Sequence, residues 1–459
     1  MQVNAHIFRE YDIRGIVARD LAGDVPVRIG RAFASELRAR APKDAHLKVA
    51  IGQDNRPSSP GLAARIMDGI RAAGVSVIDV GTVPTPLLYW AAARFETDGA
   101  MQITGSHNPP EYNGFKMLAG QRSLYGEAIQ GLRRRIVSGD YAEGAGGHER
   151  SEIIARYIEE VGSRFRLERP IRVVADCGNG TGSLVAVDLL RRTGAEVIPL
   201  YCESDGTFPN HHPDPTVDAN LAVMIERVRS ERADLGVGFD GDADRLGAVD
   251  EKGTIIRGDM LLLLFGLDLI ARRGTPQKLI YDVKCSRAVD EVFRAHGGEP
   301  IMWKTGHSLI KEKMKETGAL IAGELSGHIC FGEDYDGFDD ALYGACLLCA
   351  LVSRSTEPLS SRVAEFPAYV STPEIRIDVD EAVKFDIVAR AVAAFRRTHP
   401  VIDVDGARVQ FEDGWGLLRA SNTQPVLVMR YEARDADGLA RIRATMEGWL
   451  QEQGIPVQQ

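Results

Sequence analysis

The sequence predicts an α/β protein: three related α/β domains with mixed sheets, then a C-terminal α+β domain, with the functional site in a central cleft. Three observations lead to this prediction. The chain has 459 residues, which is too long for one hydrophobic core at about 150 residues per domain. A β-α-β pattern occurs three times at domain-sized spacing, and an apolar strand that leads into a polar motif follows each copy. After about residue 373 the pattern changes.

The first β-α-β unit begins with alternating apolar residues at 47–51, which indicate a strand. A helix follows, which we expect to be capped by Ser58 and Ser59 and to stop at Gly74. Residues 75–78 then form the next strand.

The same plan returns in two later units. Apolar strands are predicted at 171–175 and 279–283, and each leads through a short loop to a helix. The two helices end near Gly194 and Gly297, because glycine commonly terminates helices.

A further apolar strand follows each unit and ends in a polar motif. These strands are 100–103, before Ser106; 235–239, before Asp240; and 319–322, before Glu324. In open α/β sheets ligands bind beyond the carboxyl ends of strands. We therefore expect the three motifs to share one cleft.

Composition shifts indicate the domain boundaries. Glycine and charge concentrate at 139–151, a turn occurs near 250–253, and Ser, Thr and Pro concentrate at 354–373. The expected domains are 1–147 with the serine loop, 148–252 with an aspartate loop, 253–365 with the Glu324 loop, and 366–459. The last is α+β, because strands and two helices, at 385–395 and 439–450, do not repeat the earlier plan.

Charge and composition exclude several classes of protein. The net charge of −10 argues against a nucleic-acid partner. The N-terminus has no signal-peptide pattern, and the apolar stretch 260–271 is too short to span a membrane, so we expect a cytoplasmic protein without a membrane partner. Six scattered cysteines give no disulfide framework, and Cys346 and Cys349 fit buried apolar positions in a helix.

The segment Thr104-Gly105-Ser106-His107-Asn108-Pro109-Pro110 follows a buried strand. Two prolines prevent helix and ladder formation, so Ser106 is expected on a stiff, exposed loop. Asn113-Gly114 predicts a turn that returns the chain and brings Lys116 toward the serine. A serine beside His107 and near a lysine has the groups to carry a transferable group, although the segment alone also fits simple turn chemistry.

Three aspartates, Asp240, Asp242 and Asp244, alternate along the second motif. If the loop curls, their oxygens suit Mg²⁺, which accepts few protein carboxylates and completes its shell with phosphate or water. A calcium-binding loop is the alternative, but its sixth position requires glycine and here is Arg245. A solvated face is a poor alternative because adjacent carboxylates repel.

The motifs together resemble the α-D-phosphohexomutase family, and most closely its bacterial phosphomannomutase/phosphoglucomutases. The resemblance runs from Phe8-Arg9-Glu10-Tyr11-Asp12-Ile13-Arg14-Gly15 to the C-terminal domain, and includes the serine loop, Asp240-Gly241-Asp242-Ala243-Asp244-Arg245, Gly323-Glu324-Leu325-Ser326-Gly327-His328 and Arg419-Ala420-Ser421-Asn422-Thr423-Gln424-Pro425. Four motifs in family order make a chance match improbable.

The resemblance implies a role for each motif. The serine that matches Ser106 is phosphorylated, and the three aspartates with Ser106 hold Mg²⁺. Glu324 and Ser326 match positions that recognise sugar hydroxyls. Substrate contacts are also implied at Tyr11, Lys284, His307, His328, Arg419, Ser421, Asn422 and Thr423.

The reaction implied is reversible phosphoryl transfer between the 1- and 6-positions of mannose and glucose phosphates, through a hexose 1,6-bisphosphate that serves as intermediate and activator. Arg14, His107, Lys116 and His307 are candidates for proton transfer and charge stabilisation, and Arg245 is the cation beside the metal loop. The partners are small-molecule sugar phosphates, and we expect a monomer. The alternatives are a phosphoglucosamine mutase, a sugar phosphatase, and a noncatalytic calcium- or sugar-binding protein.

Arg419 and the Ser-Asn-Thr that follows combine a guanidinium with hydroxyl, amide and backbone donors, which suit a phosphate held without reacting. A capped turn is the alternative. Because a bisphosphate must turn between two poses, we expect this loop across the cleft from Ser106, on a domain that moves about 354–373.

Overall fold

A computed structural model describes residues 3–422 and 424–457. It contains four successive sheets, and the first three repeat one strand arrangement.

The first domain is a seven-stranded mixed sheet with helices on its faces. Its strands are β1 (Ile13–Ile16), β2 (Lys48–Gln53), β3 (Ser76–Thr82), β4 (Gly99–Ile103), β5 (Tyr112–Ala119), β6 (Arg122–Ser123) and β7 (His148–Arg150). Its helices are α1 (Val17–Asp20), α2 (Val25–Arg40), α3 (Ser59–Ala72), α4 (Thr85–Arg94) and α5 (Glu127–Ser138). The strand order is β1-β5-β4-β2-β3-β7, and β6 pairs with β5.

The second domain has five strands and three helices. They are β8 (Arg172–Asp176), β9 (Glu196–Leu200), β10 (Leu235–Phe239), β11 (Leu246–Asp250) and β12 (Ile255–Ile256), with α6 (Ile154–Gly162), α7 (Ala186–Thr193) and α8 (Ala222–Ser230). The order is β12-β11-β10-β8-β9.

The third domain also has five strands, in the order β14-β13-β15-β16-β17. They are β13 (Lys278–Asp282), β14 (Glu299–Trp303), β15 (Ile321–Gly323), β16 (Ile329–Phe331) and β17 (Phe338–Asp339). Its helices are α9 (Gly258–Arg273), α10 (Arg287–Ala295), α11 (His307–Thr317), α12 (Ala341–Ser353) and α13 (Leu359–Ala364).

The C-terminal domain has a six-stranded antiparallel sheet. Its elements are β18 (Val370–Ser371), β19 (Ile375–Asp378), β20 (Val401–Ile402), β21 (Ala407–Gln410), β22 (Gly414–Ala420) and β23 (Val426–Ala433), with α14 (Lys384–Phe395) and α15 (Ala436–Glu452). The predicted change to α+β is confirmed.

The repeat predicted from the sequence is visible in the strand pairing. In each of the first three sheets a central strand lies between two parallel neighbours, and one of these neighbours pairs with an antiparallel strand. That neighbour is β4, β10 or β15. The three polar motifs therefore follow structurally equivalent strands, so they emerge at the same edge of their sheets.

The expected domain ends differ slightly from the extent of the sheets. The boundaries at residues 147 and 252 fall just before the edge strands β7 and β12, which pair with the preceding sheets. Each sheet therefore extends a few residues past the boundary expected from composition, because a short edge strand follows the glycine-containing turn.

Besides a separate apolar cluster within the first domain, the first three domains share one large apolar core. It runs continuously through residues such as Trp90 of α4, Tyr157 of α6 and Leu348 of α12. The C-terminal domain has a separate core between its sheet and helices. Cys346 and Cys349 are buried within α12, as predicted. No helix within the described residues combines the length and apolarity needed to cross a membrane.

Polar contacts attach the C-terminal domain to the loop after β13. The Arg408 guanidinium is buried against the Trp415 ring, 3.9 Å from its centroid, and donates to the carbonyl oxygens of Val283 at 3.0 Å and Cys285 at 3.2 Å. Arg430 donates to the carbonyl of Lys284 in the same loop.

Candidate active site

Ser106 lies at the floor of a cleft. It follows β4 in the left-handed region, with φ of 47°, and is 2 % exposed. Its Oγ donates to Asp240 Oδ2 at 2.8 Å and lies 3.0 Å from His107 Nδ1. The loop is exposed at Pro109 and Pro110, as predicted, but Ser106 itself is buried against the aspartate loop of the second domain and is reached from the cleft that it helps to line.

An arginine that the sequence did not point to holds the serine loop. Arg56 is 1 % exposed and donates to the carbonyl oxygens of Ser106 at 2.7 Å, Asn108 at 2.6 Å and Pro109 at 2.7 Å. Asp54 lies 3.3 Å from its Nε. The loop is therefore fixed by a guanidinium as well as by its prolines. Since Arg56 follows the carboxyl end of β2, the edge rule used for the other motifs also applied here.

The Asn113-Gly114 turn predicted from the sequence is wrong. Both residues lie within β5, where Gly114 pairs with Arg14 of β1. A Cβ on Gly114 would lie 2.5 Å from the Ile13 carbonyl oxygen, so the glycine serves close strand approach. Ser58 and Ser59 accept hydrogen bonds from the Asn113 amide at 2.9 Å and 2.8 Å, and neither makes the expected helix cap.

The three aspartates converge as the metal hypothesis requires. One carboxylate oxygen from each lies within 4.8 Å of the other two, and all three side chains are fully buried. The loop curls at Ala243, whose φ of 56° is unusual for a residue with a Cβ. The Oδ1 atoms of Asp242 and Asp244 are buried without a hydrogen-bond partner. Buried carboxylates this close together, with oxygens that have no hydrogen-bond partner, fit a divalent cation with oxygen ligands.

Lys116 supplies part of the compensating charge. Its Nζ lies 2.7 Å from Asp242 and 2.5 Å from Asp244. Burial opposes its charge, but these two carboxylates raise the pKa of Lys116 well above its usual value. Burial and repulsion from the other two carboxylates raise the pKa of Asp240. One ammonium cannot neutralise three carboxylates, so the cluster is suited to a further cation.

A row of buried polar side chains positions Arg245 beside the aspartate loop. Arg245 Nε donates to His328 Nε2 at 3.0 Å, His328 Nδ1 lies 2.8 Å from Asp339 Oδ2, and Lys311 Nζ donates to Asp339 Oδ1 at 2.9 Å. Because Nε2 accepts from Arg245, Nδ1 carries the proton, and it faces the Asp339 carboxylate. His328, Asp339 and Asp244 lie close enough to form a metal group, but in this tautomer the protonated Nδ1 faces both carboxylates and offers no lone pair to a metal there. Sequence reasoning found neither Asp339 nor Lys311.

His307 begins α11 and stacks on His328, with ring centroids 5.2 Å apart. Burial, followed by the nearby Lys311 ammonium, lowers the pKa of His307 well below its usual value. Burial, followed by Arg245 and Arg14, does the same for His107. Both imidazoles are therefore neutral at physiological pH.

The Glu324 loop faces the same cavity. Glu324 accepts from the backbone N–H of Gly306 and from Ser326 Oγ, the latter at 3.2 Å. Lys284 Nζ pairs with Glu374 of the C-terminal domain at 2.9 Å. This Lys284 ammonium lowers the pKa of Glu374 to about 2.

Tyr11 connects three domains at the mouth of the cleft. Its hydroxyl donates to the Thr305 carbonyl at 2.7 Å and accepts from the Asn422 amide at 2.6 Å. Arg419, shortly before Asn422 in the chain, has its Nε 3.0 Å from Asp405. Thr423, also predicted from the sequence, lies outside the described residues.

On the first domain, Arg14 donates to Asn108 Oδ1 at 2.7 Å and to Asp12 at 2.5 Å. Arg14, predicted from the sequence as a catalytic candidate, is therefore tied to the serine loop.

A cavity of about 1040 Å³ joins these groups. The predicted residues that line it are Tyr11, Arg14, Ser106, His107, Lys116, Arg245, Lys284, His307, Glu324, Ser326, His328, Arg419, Ser421 and Asn422. Asp240, Asp242 and Asp244 lie behind Ser106. Among the lining residues that the structure describes, nine are Arg or Lys and five are Asp or Glu. The cavity is therefore cationic in a chain of net charge −10, which suits an anionic ligand.

The loop at His211 and His212 joins the second domain to the first. His211 Nε2 lies 3.1 Å from Asp176, and His212 Nε2 contacts the His107 carbonyl oxygen. These bonds occupy both imidazoles in structural contacts.

Comparison with known proteins gives the same assignment along the chain. The models of phosphoglucomutase/phosphomannomutase α/β/α domains I, II and III match residues 5–141, 155–253 and 257–369, and the model of the C-terminal domain matches 374–448.

Full-length relatives and a solved structure agree with these matches. The chain is 46 % identical to a phosphomannomutase/phosphoglucomutase of Pseudomonas aeruginosa, over 99 % of this chain and 97 % of the relative. It is 44 % identical to a phosphoglucomutase of Neisseria gonorrhoeae, over 96 % of each protein. A crystal structure of a phosphoglucomutase/phosphomannomutase family protein from Burkholderia thailandensis covers 99 % of both chains, with a TM-score of 0.92 and 42 % identity. The chain belongs to the α-D-phosphohexomutase family.

Proposed function

We propose that this phosphohexomutase moves a phosphoryl group between the 1- and 6-positions of mannose and glucose phosphates, through a phosphoserine at Ser106 and a hexose 1,6-bisphosphate. One observation carries the proposal. The Ser106 hydroxyl lies at the floor of a cationic cavity and 2.8 Å from Asp240, in contact with a carboxylate cluster that has unpartnered oxygens. A phosphate on Ser106 carries a charge of about −1.5 to −2, so the carboxylates would repel it unless a cation lies between them.

Asp240, Asp242 and Asp244 would hold Mg²⁺ together with a phosphate oxygen on Ser106. When bound, Mg²⁺ neutralises phosphate charge and makes the phosphorus more electrophilic. Arg245, aligned by His328, adds a guanidinium beside the same loop. Lys116 remains protonated between Asp242 and Asp244, so in this state it stabilises negative charge.

The sugar would lie between the serine and the C-terminal domain. Glu324 and Ser326 offer a carboxylate and a hydroxyl to hydroxyls that glucose and mannose share. Arg419, Ser421 and Asn422 would bind the phosphate that does not react. In either pose of the bisphosphate this receptor is the same, and the sugar turns to present its other end to Ser106.

Neutral His107 and His307 are the candidates to accept the proton of the attacking sugar hydroxyl. The low pKa of each leaves a nitrogen lone pair available at physiological pH. His107 Nδ1 lies 3.0 Å from Ser106 Oγ, and Arg14 holds the same loop through Asn108.

The test is detection of phosphate on Ser106 in active enzyme, by intact mass and by peptide mapping. Ser106→Ala should lose the phosphate and turnover, while Ser138→Ala, on an exposed helix end, should keep both. Active enzyme without phosphate at Ser106, or full turnover of Ser106→Ala, would refute the proposal.

The choice of substrate is tested by assaying mannose, glucose and glucosamine 1-phosphates side by side. Comparable kcat/KM for glucose and mannose phosphates is expected, because the predicted readers face hydroxyls common to both. Preference for the glucosamine phosphate would indicate a phosphoglucosamine mutase, and net release of inorganic phosphate would indicate a phosphatase.

A further inference from the structure

Two cysteines meet at the edge of the second sheet, away from the substrate cavity. Cys177 directly follows β8, and Cys202 follows the neighbouring parallel strand β9. Their sulfur atoms are 2.9 Å apart. Both are free thiols. The proposed phosphoryl transfer uses neither of them.

The two thiols differ in exposure and acidity. Cys177 is fully buried, whereas Cys202 is partly exposed. The hydrogen bond between them lowers the pKa of Cys202, and the same hydrogen bond together with burial raises the pKa of Cys177. Cys202 is therefore the thiol that an oxidant can reach, and it reacts in its thiolate form. Cys177 lies in position to react second.

We propose that Cys177 and Cys202 form an oxidation site that takes a hydroperoxide and closes to a disulfide. The Cys202 thiolate attacks the terminal peroxide oxygen, which breaks the O–O bond and gives a sulfenic acid and, from hydrogen peroxide, water. Cys177 sulfur then attacks the Cys202 sulfur, the S–O bond breaks and a second water leaves. Two thiols and one hydrogen peroxide thus give one disulfide and two waters, with two electrons passing to the peroxide.

The site is coupled to the aspartate loop through the segment that follows Cys177. Thr181 N–H donates to the Gly241 carbonyl at 3.0 Å, and a Cβ on Gly180 would lie 2.7 Å from the same oxygen. Asn55 directly precedes Arg56, which holds the serine loop, and its side-chain amide donates to the Asn179 carbonyl at 2.7 Å. The segment is in close contact with both loops, so movement of Cys177 toward Cys202 displaces the backbone beside Asp240 and Asp242.

Displacements of this kind at a phosphoryl-transfer site reduce turnover by about tenfold to a hundredfold. We therefore expect the disulfide form to be the less active form, and reduction to restore activity. This consequence rests on the proposed function, whereas formation of the disulfide does not.

The experiment treats the purified full chain with hydrogen peroxide and maps its peptides without reduction. The expected result is a Cys177–Cys202 disulfide, a loss of activity of about tenfold or more, and recovery with dithiothreitol. Cys202→Ser should form no such disulfide and keep its activity under the same treatment. Cys346→Ala, altered inside α12, should behave as the unaltered protein does.

Three outcomes would overturn the proposal: sulfinic acid at Cys202 with Cys177 unmodified, equal peroxide inactivation of Cys202→Ser, or a disulfide that changes neither activity nor hydrogen exchange over residues 240–245. Hydrogen exchange separates this inference from the proposed function. If the untreated protein has no mutase activity but the disulfide forms and alters exchange at 240–245, the oxidation site stands and the proposed function fails.

Discussion

Replacing Arg56 tests how the serine is held. Its guanidinium donates to three carbonyl oxygens of the serine loop at 2.6–2.7 Å and lies beside the buried Asp54. In Arg56→Met the side chain keeps most of its length but loses the charge and every donor. The three carbonyls then lose their partner, and Asp54 loses its counterion.

The magnitude follows from these contacts. Removing one partner of a buried ion pair costs about 3–5 kcal/mol. The loop can recover part of its hydrogen bonding by opening to water, so we expect the cost to appear as local opening of the loop. A loss of about 3–5 kcal/mol corresponds to an increase of about 150- to 4000-fold in the open population.

Hydrogen exchange of the loop amides measures this population. Gly105 N–H is bonded to Asp54 and Asn108 N–H to the Gly105 carbonyl, so both exchange only when the loop opens. Their exchange should accelerate by the factor given above, and kcat should fall because Ser106 is no longer positioned. Arg56→Lys keeps the charge but has no planar fork, so we expect an intermediate effect.

The control is Arg192→Met, which removes an arginine from a surface pair with Glu159 whose side chains are 46 % and 68 % exposed. Pairs this exposed contribute little to stability, so exchange and turnover should stay close to those of the unaltered protein. Unchanged exchange and full turnover in Arg56→Met would refute the clamp.

Three further predictions concern the metal, the C-terminal domain and pH. Asp242→Asn should lower kcat by orders of magnitude with the fold intact by circular dichroism, and full activity in excess chelator would contradict a metal role. Arg419→Ala should raise KM and lower kcat while Ser106 is still phosphorylated; a change in neither parameter would remove this residue from phosphate binding. Burial raises the pKa of Asp340 to about 6 in the folded protein, so the folded state binds this proton more tightly than the unfolded state does. The bound proton therefore stabilises the fold at low pH, and this contribution, about 3 kcal/mol, is lost as the pH rises from about 4 to 6. In Asp340→Asn this decline should be missing, so the difference in thermal midpoint between the two proteins should change over that range; a constant difference would contradict it.

The fold was predictable because short stretches of sequence specify each β-α-β unit and the same pattern occurs three times. Each β-α-β unit has its own apolar strands and a glycine at a helix end, such as Gly194 and Gly297, which both adopt positive φ after their helices. The edge rule for parallel strands then placed Ser106, Asp240 and Glu324 together without any knowledge of tertiary contacts.

The wrong and missing predictions concern features that depend on contacts between residues distant in the sequence. Asn113-Gly114 is a strong local turn signal, but pairing with β1 on one side and β4 on the other holds it in a strand. The burial of Ser106 depends on a loop that is distant in sequence. Arg56, Lys311 and Asp339 resemble ordinary surface charges in the sequence, and only contacts between residues distant in the chain make them buried partners.

The attachment of the C-terminal domain has a mechanical consequence. On one side, Arg408 and Arg430 hold the backbone of residues 283–285, and on the other side the Tyr11 hydroxyl meets Asn422 through a single hydrogen bond. The C-terminal domain is thus anchored at the loop after β13, and at the cavity it is also held by Tyr11 and by the Thr305 N–H, which donates to Asp405 at 3.0 Å. The Lys284 side chain lines the cavity and belongs to this same loop. A ligand that draws Lys284 away from Glu374 therefore removes one of the contacts that orient the C-terminal domain.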